Sequence, residues 1–467
     1  MQTKNTYRPA VHFTPPANWM NDPNGMVYVN GEYHLFYQHY PSAPHWGPMH
    51  WGHAVTRDLL HWEHLPIALY PDEQGCIFSG SCVLDKDNLS GFGSTDKPPL
   101  IAVYTSHHTE THREQQSIAY SLDYEHFEKY YGNPVISGEG KTDFRDPKVF
   151  WNPVKKCYSL VLAAGENVEF YSSPNLKDWE KTGEFQAGIH GLGGICECPD
   201  CFPLKTEEGE KWVLIISMIL PPEEIGKHNN AYGRMSHITQ YYIGNFDGNT
   251  FTDTEESGLP LLPDFGTDNY AAVTFQNLEE KVMIGWADNW DYADKAPTRE
   301  DGFCGKMTLA REMKLVKTDQ GYRIAFSFAG TKALEAGAFP LAEGNNRLHT
   351  DSFGLKAAVN GTGSITLANG AGESVEIAVT EEEIIVDRRR AGQTSFQEDY
   401  GKESYGLNRA PRLLPHSSQM ELVFDRCILE ILADDGMTPF TVGLFPTQPY
   451  DNISVAGDIR AILYHLR

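Results

Sequence analysis

The chain has 467 residues, of which 40% are hydrophobic and 12% aromatic, so it is long and apolar enough for two domains with sizeable cores. Its 38 basic and 63 acidic residues give a net charge of -25, and this negative field argues against nucleic-acid and membrane partners. The sequence contains no run of about 18 apolar residues that could span a bilayer, and its first residues do not resemble a secretory leader. We therefore expect a cytoplasmic protein, and we make no prediction of its oligomeric state.

The first predicted element is a short strand that begins in the stretch Asn18 to Gly25, which reads NWMNDPNG. Pro23 disfavours helical geometry at Asp22, and Asn24 with Gly25 favours a turn. The apolar residues that follow, Met26 to Asn30, predict a β-strand. Taken alone, Asp22 would be an ordinary turn residue at the start of a strand, and only the repeat described next points to another role.

The first three hundred residues contain five apolar, β-rich runs of similar character, which we interpret as the second strands of a repeating unit. They are Tyr33 to Gln38, Leu100 to Ser106, Tyr158 to Ala163, Trp212 to Met218 and Val282 to Trp286. In four units a third strand ends at a small or polar residue and an aromatic follows six positions later. These pairs are Thr56 with Trp62, Ser121 with Phe127, Ser173 with Trp179, and Asn245 with Phe251. Such spacing predicts a five-bladed β-propeller, whose fifth blade runs from about Tyr270 to Arg323 and closes against the N-terminal segment.

The segment before each of these runs is predicted to be an innermost strand that lines the central channel. The five segments read NDPNGMVYV, FSGSCVLD, FRDPKVFW, ECPDCFPL and NYAAVTFQ, and their leading polar residues are Asp22, Ser79, Asp146, Glu197 and Asp268. Because innermost strands converge, we expect the carboxylates of Asp22, Asp146 and Glu197 to share one polar funnel. Strict alternation along ECPD would direct Cys196 and Cys198 into the blade interior and Glu197 into the channel.

The rest of the chain has a different residue pattern, which predicts a second domain. We assign residues 1–325 to the propeller, 326–346 to a connector and 347–467 to an antiparallel β-sandwich. The alternation in Ser374 to Val379, with strands at Met420 to Leu432 and Phe440 to Phe445, supports this assignment. This domain gathers no carboxylates or histidines into a site, so we expect it to support the propeller.

Two motifs resemble partial metal sites. Cys196, Cys198 and Cys201 in CECPDC lack a matching fourth ligand, and His107, His108 and His112 in HHTETH fit a solvated loop better. The eight cysteines are expected to be reduced, because a chain of this length does not need a disulfide framework. We predict no metal and no other cofactor.

Facing carboxylates in a channel that also holds tryptophans are suited to the cleavage of glycosidic bonds. One carboxylate attacks the sugar carbon or stabilises charge there, and the other must be protonated to donate to the leaving oxygen. Arg145 is expected to keep the neighbouring Asp146 ionised. Aromatic faces stack on sugar rings, and the candidates for this role are Trp19, Trp46, Trp51 and Trp286.

Six motifs, in this order, resemble the signature of glycoside hydrolase family 32. They are NWMNDPNG, LFYQ at Leu35 to Gln38, the Trp46-Gly47 pair, FSGS at Phe78 to Ser81, RDP at Arg145 to Pro147, and ECPD at Glu197 to Asp200. In the second domain, VDRRRAG at Val386 to Gly392 and the stretch Phe424 to Gly436 resemble the C-terminal sandwich of that family. The resemblance implies a five-bladed propeller followed by a sandwich, no metal, and a retaining mechanism on β-D-fructofuranosides.

The resemblance also implies roles for individual residues. Asp22 corresponds to the nucleophile, Glu197 to the general acid and base, and Asp146 to the stabiliser of the transition state, with Arg145 beside it. The residues that correspond to the fructose pocket are Asn21, Gln38, Trp46, Phe78, Ser79 and Trp286. A retaining pair implies about 5–5.5 Å between the carboxyl groups of Asp22 and Glu197.

The run GWADNWDYADKAPT is closer to the fructan-cleaving exo-enzymes of the family than to its sucrose-6-phosphate hydrolases. We therefore expect a small carbohydrate substrate, namely sucrose or a short fructo-oligosaccharide, with inulin or levan as further candidates. Three alternatives remain open: a fructosyltransferase, an inverting arabinanase- or xylosidase-type propeller with carboxyls about 6.5–9.5 Å apart, and a non-catalytic sugar-binding propeller.

Overall fold

The chain folds into a five-bladed β-propeller followed by a second all-β domain, as the computed structural model shows, so the predicted fold class is confirmed. The structure describes residues 6–190, 192–222, 225, 235–255, 260–335 and 337–466. Among these residues the helical segments are short, and they are α1 (Ala187–His190), α2 (Glu403–Gly406) and the 3-10 turns Pro297–Asp301, Thr331–Glu335 and Asp434–Gly436. In the part of the chain described, no helix has the length and apolar character that crossing a bilayer requires.

Each blade is an antiparallel sheet whose first strand is innermost. Blade 1 contains β1 (Asn18–Val29), β2 (Glu32–Tyr40), β3 (His50–Thr56) and β4 (Glu63–Leu69). Blade 2 contains β5 (Cys76–Leu84), β6 (Leu100–His107), β7 (Glu114–Ser121) and β8 (Glu128–Lys129). Blade 3 contains β9 (Phe144–Asn152), β10 (Cys157–Ala164), β11 (Asn167–Ser173) and β12 (Glu180–Phe185). Blade 4 contains β13 (Ile195–Thr206), β14 (Gly209–Ile219), β15 (His237–Phe246) and β16 (Phe251–Asp253).

The fifth blade closes the ring. It contains β17 (Tyr270–Thr274), β18 (Val282–Trp286), β20 (Arg311–Thr318) and β21 (Gly321–Phe328), while the short strand β19 (Phe303–Cys304) pairs in parallel with β1 of blade 1. Two backbone hydrogen bonds join the blades, from Tyr28 N–H to the Gln276 carbonyl at 3.0 Å and from Gln276 N–H to the Met26 carbonyl at 2.9 Å. The N-terminal segment therefore closes the propeller, as the repeat predicted.

The repeated polar residue and aromatic have a shared structural cause. After β3 the hydroxyl of Thr56 accepts a hydrogen bond from Leu59 N–H at 3.1 Å, and after β7 Ser121 accepts one from Tyr124 N–H at 2.8 Å. Leu59, Tyr124 and, in blade 3, Leu176 all adopt a left-handed backbone with φ of 66°, 69° and 63°. The same tight turn therefore precedes the fourth strand of blades 1 to 3, which explains the constant spacing to the aromatic residue.

Every innermost strand carries a β-bulge at the same level. In β13, for example, Glu197 pairs with Ser217 but Asp200 pairs with Ile215, so three steps on the inner strand match two on its neighbour. The same extra residue lies between Met20 and Pro23, between Ile77 and Gly80, between Arg145 and Lys148, and between Tyr270 and Val273. A bulge redirects side chains and breaks the two-residue alternation, and such bulges occur often beside active sites.

The second domain is a ten-stranded antiparallel sheet that wraps around its own apolar core. Its strands are β22 (Phe339–Pro340), β23 (Gly344–Arg347), β24 (Ser352–Ala368), β25 (Ser374–Val379), β26 (Glu383–Arg390), β27 (Leu407–Pro411), β28 (Ser418–Asp425), β29 (Ile428–Ala433), β30 (Thr438–Gly443) and β31 (Asn452–His465). The long strand β24 pairs with β28 along its first half and with β25 along its second half, so it belongs to both layers of the sandwich.

The segment 326–346, which we predicted to be a connector, includes the end of β21 and the two short strands β22 and β23, which pair with β31. Buried ion pairs also join the domains. Arg311 of the propeller contacts Glu430 of β29, and His12 bridges Asp425 and Glu430 at 2.9 Å each. The protonated imidazole is favoured there, because these two carboxylates outweigh burial and raise the pKa of His12 to about 9. The second domain is therefore fixed against blade 5 and the N-terminal segment.

Candidate active site

The bulged ends of the innermost strands surround a cavity of about 380 Å³. It is lined by Asn21, Asp22, Gln38, Trp46, Phe78, Ser79, Glu114, Arg145, Asp146, Glu197, Ile219, His237 and Trp290. The three carboxylates that the sequence placed in one funnel, Asp22, Asp146 and Glu197, thus lie in the same cavity. They come from blades 1, 3 and 4, and the bulges aim them at a common space.

Asp22 is the second of the two residues within the bulge of β1, and neighbours hold both of its oxygens. Its Oδ2 accepts a hydrogen bond from the Ser79 hydroxyl at 2.7 Å, and its Oδ1 accepts one from the Asn21 amide at 3.1 Å. Burial raises the pKa of Asp22, and the charge of Glu197 raises it further, while the hydrogen bonds from Ser79 and Asn21 lower it. These donors therefore favour the ionised carboxylate that a nucleophile requires.

Asp146 is the first residue of the bulge in β9 and adopts a left-handed backbone with φ of 63°. Its Oδ2 accepts a hydrogen bond from Cys198 N–H at 3.0 Å, and its own N–H donates to the Thr105 hydroxyl at 3.0 Å. Burial raises the pKa of Asp146 to about 8; the charge of Arg145 lowers this pKa, while the charges of Glu197 and Asp22 raise it. Arg145 therefore acts on Asp146 in the expected direction, although its side chain hydrogen-bonds other carboxylates and burial outweighs its charge.

Arg145 connects Glu197 to two further acids. Its Nε and Nη2 donate to Glu197 Oε1 at 3.2 and 3.1 Å, and its Nη1 donates to Asp143 at 2.7 Å and to Glu114 at 3.2 Å. The other oxygen of Glu197 accepts a hydrogen bond from the Tyr270 hydroxyl at 2.6 Å. Both oxygens of Glu197 are therefore oriented by fixed donors, which positions this carboxyl within the cavity.

The sequence placed Cys198 in the blade interior, and that prediction was wrong. The bulge between Glu197 and Asp200 breaks the alternation, so the Cys198 sulfur lies 3.5 Å from Asp22 Oδ2 and 3.6 Å from Asp146 Oδ2. Burial and these two carboxylates raise the pKa of the Cys198 thiol, so it keeps its proton and acts as a donor. Cys198 thus links the carboxylates of blades 1 and 3.

The predicted pocket residues Asn21, Gln38, Trp46, Phe78 and Ser79 all line the cavity. Trp46 is 47% exposed at the rim, and Phe78 stacks on His107 with ring centres 4.3 Å apart. Gln38 is 2% exposed, and its amide nitrogen has no hydrogen-bond partner among the described residues. A buried, unpaired donor beside the cavity is suited to binding a hydroxyl group of a ligand.

Trp51 and Trp286 do not reach the cavity, contrary to our expectation. Trp51 is fully buried in the core and donates its indole N–H to the Phe78 carbonyl at 3.0 Å, so it supports a lining residue from behind. Trp286 is also fully buried and packs on Trp19 and Trp290. In the run GWADNW it is the second tryptophan, Trp290, that lies beyond β18 and lines the cavity.

Asp268, the predicted polar residue of the fifth inner strand, also lies elsewhere. It is 1% exposed and forms an ion pair with Arg388 of the second domain. Blade 5 contributes Tyr270 instead. The sequence analysis did not assign Glu114, Cys198, Ile219, His237, Tyr270 or Trp290 to the site, because it considered only the leading polar residues of the inner strands, the tryptophans and the residues that the family resemblance implied.

The two partial metal motifs have other contacts in the fold. His107 Nδ1 lies 3.2 Å from Glu114 and its ring stacks on Phe78, while Cys196 and Cys201 are buried in the core between blades 3 and 4. Across the described residues, no three His, Cys, Asp or Glu side chains are grouped so that they could hold a metal ion. All eight cysteines are free thiols.

Comparison with known proteins gives consistent matches along the chain. Residues 12–325 match the glycosyl hydrolases family 32 N-terminal domain, and residues 308–459 match the family 32 C-terminal domain. The chain is 39% identical to a levanase of Bacillus subtilis (strain 168) over 94% of its own length and 66% of the levanase. It is 32% identical to an extracellular exo-inulinase of Aspergillus awamori, over 98% of this chain and 94% of the exo-inulinase.

Solved structures are similar over the whole chain. The exo-inulinase from Aspergillus awamori superimposes with a TM-score of 0.88 at 30% identity, covering 100% of this chain and 99% of that one. A fructofuranosidase from Schwanniomyces occidentalis, solved with fructose, superimposes with a TM-score of 0.83 at 26% identity, covering 100% and 99%. The propeller, the second domain and their arrangement are therefore shared with these proteins.

Proposed function

The chain belongs to glycosyl hydrolase family 32 and is a glycoside hydrolase, and we propose that it releases fructose from the non-reducing end of β-D-fructofuranosides with retention of configuration. One observation carries the proposal: Asp22, Asp146 and Glu197 meet in a single cavity, each held by fixed donors. The names of the similar proteins, a levanase, an exo-inulinase and a fructofuranosidase solved with fructose, support the choice of sugar.

In the first step the ionised Asp22 attacks the anomeric carbon of the fructosyl unit. The bond between that carbon and the leaving oxygen breaks, and Glu197 transfers its proton to the oxygen. Three carboxyls in one buried cavity disfavour triple ionisation. Burial raises the pKa of Asp22 and of Asp146, the charge of Glu197 raises both further, and the charge of Asp22 also raises that of Asp146. We therefore expect the cavity to hold a proton when substrate binds.

In the second step Glu197, now ionised, takes a proton from water, and the resulting hydroxide equivalent attacks the anomeric carbon of the fructosyl-enzyme. The ester bond to Asp22 breaks, fructose leaves, and both carboxyls return to their starting states. Asp146 accepts hydrogen bonds from the fructosyl hydroxyls as charge develops on the ring. If a sugar hydroxyl replaced water in this step, the product would be a longer fructoside, which is the fructosyltransferase alternative.

For the substrate we propose sucrose and short fructo-oligosaccharides, with inulin and levan as longer candidates. The cavity of about 380 Å³ has a volume suited to one or two sugar rings. Trp46 at the rim offers an exposed indole face to a bound ring, and Gln38 offers a free amide donor. A cavity of this limited volume favours binding of a chain end over binding along the middle of a polymer.

The test is product analysis over time with sucrose, kestose, inulin and levan in parallel, together with NMR of the fructose anomer that forms first. We expect fructose from all cleaved substrates, and the β-anomer as the first product. Initial release of the α-anomer would show an inverting enzyme, longer fructosides as main products would show a transferase, and binding without turnover would show a non-catalytic propeller.

A further inference from the structure

One wall of the cavity is formed by three uncharged residues of the fourth and fifth blades, which the proposed mechanism does not use. Ile219 ends β14, His237 begins β15, and Trp290 lies in the segment after β18. The ring of His237 meets that of Tyr270 edge-on, with centres 5.2 Å apart, and Tyr270 donates to Glu197 at 2.6 Å. This wall therefore lies next to the carboxyl that we assign as the proton donor, where the leaving group departs.

The protonation state of His237 follows from its neighbours. Burial lowers the pKa of His237, although the charges of Glu197 and Asp291 oppose this, so the imidazole is neutral near pH 7. The Ser236 hydroxyl lies 2.6 Å from His237 Nδ1 and donates its single proton to Asp291 at 2.7 Å. Ser236 must then accept from His237, so Nδ1 carries the proton and Nε2 presents a lone pair.

The second domain completes this chain of hydrogen bonds. The Tyr405 hydroxyl, in α2, donates to the other oxygen of Asp291 at 2.7 Å. Tyr405 also meets Tyr292 edge-on at 5.6 Å, next to the Asp291 backbone. A continuous path thus runs from Tyr405 through Asp291 and Ser236 to His237, and Trp290 directly precedes Asp291.

We propose that His237 and Trp290 receive the leaving-group sugar, and that Tyr405 of the second domain positions this wall through Asp291 and Ser236. The proposal rests on the proposed function. Nε2 of His237 has no hydrogen-bond partner among the described residues, so it is free to accept from a hydroxyl of the leaving group. The partly buried indole of Trp290 supplies the apolar surface for the ring. Tyr405, Asp291 and Ser236 are positioning residues, since their contacts are with the wall.

The wall then discriminates by leaving group. A sugar has hydroxyls that His237 can bind, whereas an aryl group linked to fructose has none to offer. Loosening the wall should weaken catalysis with a sugar leaving group and spare an aryl fructoside. A purely structural role of Tyr405 would instead reduce the activity on both substrates equally.

The test compares Tyr405→Phe with Tyr400→Phe, in the full chain. Both changes remove one buried hydroxyl of the second domain, but Tyr400 donates to the Gly443 carbonyl and has no contact with Asp291. For Tyr405→Phe we expect KM for sucrose and kestose to rise about threefold to tenfold, the range for one lost hydrogen bond. We expect kcat/KM for 4-nitrophenyl β-fructofuranoside and the melting temperature to match those of Tyr400→Phe.

Two further variants act on the wall itself. His237→Phe keeps an aromatic ring but removes the acceptor, so it should produce the same selectivity as Tyr405→Phe with a larger effect. Asp291→Asn weakens the central acceptor of the path and should fall between them. If the Tyr405 and Tyr400 variants are equal on every substrate, the proposal is refuted while the proposed function stands. If the unmodified chain cleaves none of the fructosides, the proposed function itself fails.

Discussion

The hydrogen bond between Ser79 and Asp22 allows the role of Asp22 to be tested by a change that leaves the carboxylate in place. The Ser79 hydroxyl donates to Asp22 Oδ2 at 2.7 Å and is among the interactions that lower the pKa of Asp22 against burial and the charge of Glu197. Ser79→Ala removes this donor. The pKa of Asp22 should rise, and less of the enzyme should hold the ionised nucleophile at acidic pH.

The size of the effect follows from the energy of a hydrogen bond to a charged acceptor, about 1.5–3 kcal/mol. On the acidic limb of the pH profile, where the ionised fraction limits the rate, kcat/KM should fall about tenfold to a hundredfold. At higher pH, where Asp22 is ionised in both enzymes, the loss should be smaller. The acidic limb of kcat/KM against pH should therefore move to higher pH, and the assay is fructose release from sucrose across that range.

Ser81→Ala is the matched control. Ser81 lies on the same strand as Ser79 and is 2% exposed, but its hydroxyl donates to the Pro147 carbonyl and does not reach Asp22. A Ser79→Ala profile that is lower at every pH, with its acidic limb unmoved, would show that Ser79 only binds substrate. The same shift in Ser81→Ala would show a general disturbance of β5, and either result would refute the reasoning.

Four further predictions use the same cavity and blade 1. Asp22→Asn should fold normally by circular dichroism and lose nearly all turnover, and near-normal sucrose cleavage would contradict its role. Glu197→Gln should slow sucrose far more than 4-nitrophenyl β-fructofuranoside, whose leaving group needs no proton; equal losses would argue against an acid. EDTA should leave the rate unchanged, and inactivation would point to a metal. Burial lowers the pKa of His34 to about 4 and holds that of His53 well below its usual value, so the melting temperature should fall as the pH drops from about 6.5 to 4, and it should fall less in His53→Gln.

The fold was predictable because each blade repeats a local sequence pattern that can be recognised without knowing the tertiary structure. The turn that holds Thr56 or Ser121 needs only a hydroxyl, a left-handed residue and a following aromatic, and these stand at fixed positions in the sequence. All five predicted second strands are observed as β2, β6, β10, β14 and β18. The convergence of the inner strands then follows from the propeller architecture, which is why three carboxylates could be placed in one cavity.

Other residues of the site could not be found in this way, because they approach the cavity through tertiary packing. Glu114 begins the third strand of blade 2, and His237 begins the third strand of blade 4. Trp290 lies in a segment without regular structure and replaces Trp286, which the preceding strand holds in the core. No local pattern marks these positions, since their exposure depends on how neighbouring blades meet.

The bulges explain both the success and the error at the inner strands. When the inner strands are aligned at their bulges, the residue just before the bulge is Arg145 in blade 3, Glu197 in blade 4 and Tyr270 in blade 5. Arg145 and Tyr270 both donate hydrogen bonds to Glu197. The first residue within the bulge is Asp146 in blade 3 and Cys198 in blade 4, and Cys198 N–H donates a hydrogen bond to Asp146. The second residue within the bulge is Asp22 in blade 1 and Ser79 in blade 2, and the Ser79 hydroxyl donates to Asp22.

Equivalent residues of neighbouring blades thus form three levels within the cavity. Asp22 and Glu197 belong to different levels, two residue positions apart in the aligned strands, although the sequence analysis treated both as the leading polar residue of an inner strand. One inserted residue per strand creates this offset, and it also turns Cys198 toward the carboxylates. The prediction for ECPD assumed that side chains alternate strictly between the two faces of the strand, and it did not allow for an inserted residue. It therefore directed Glu197 correctly into the channel but placed Cys198 in the blade interior. The pair that performs the chemistry is therefore set by the bulges as much as by the blades that carry it.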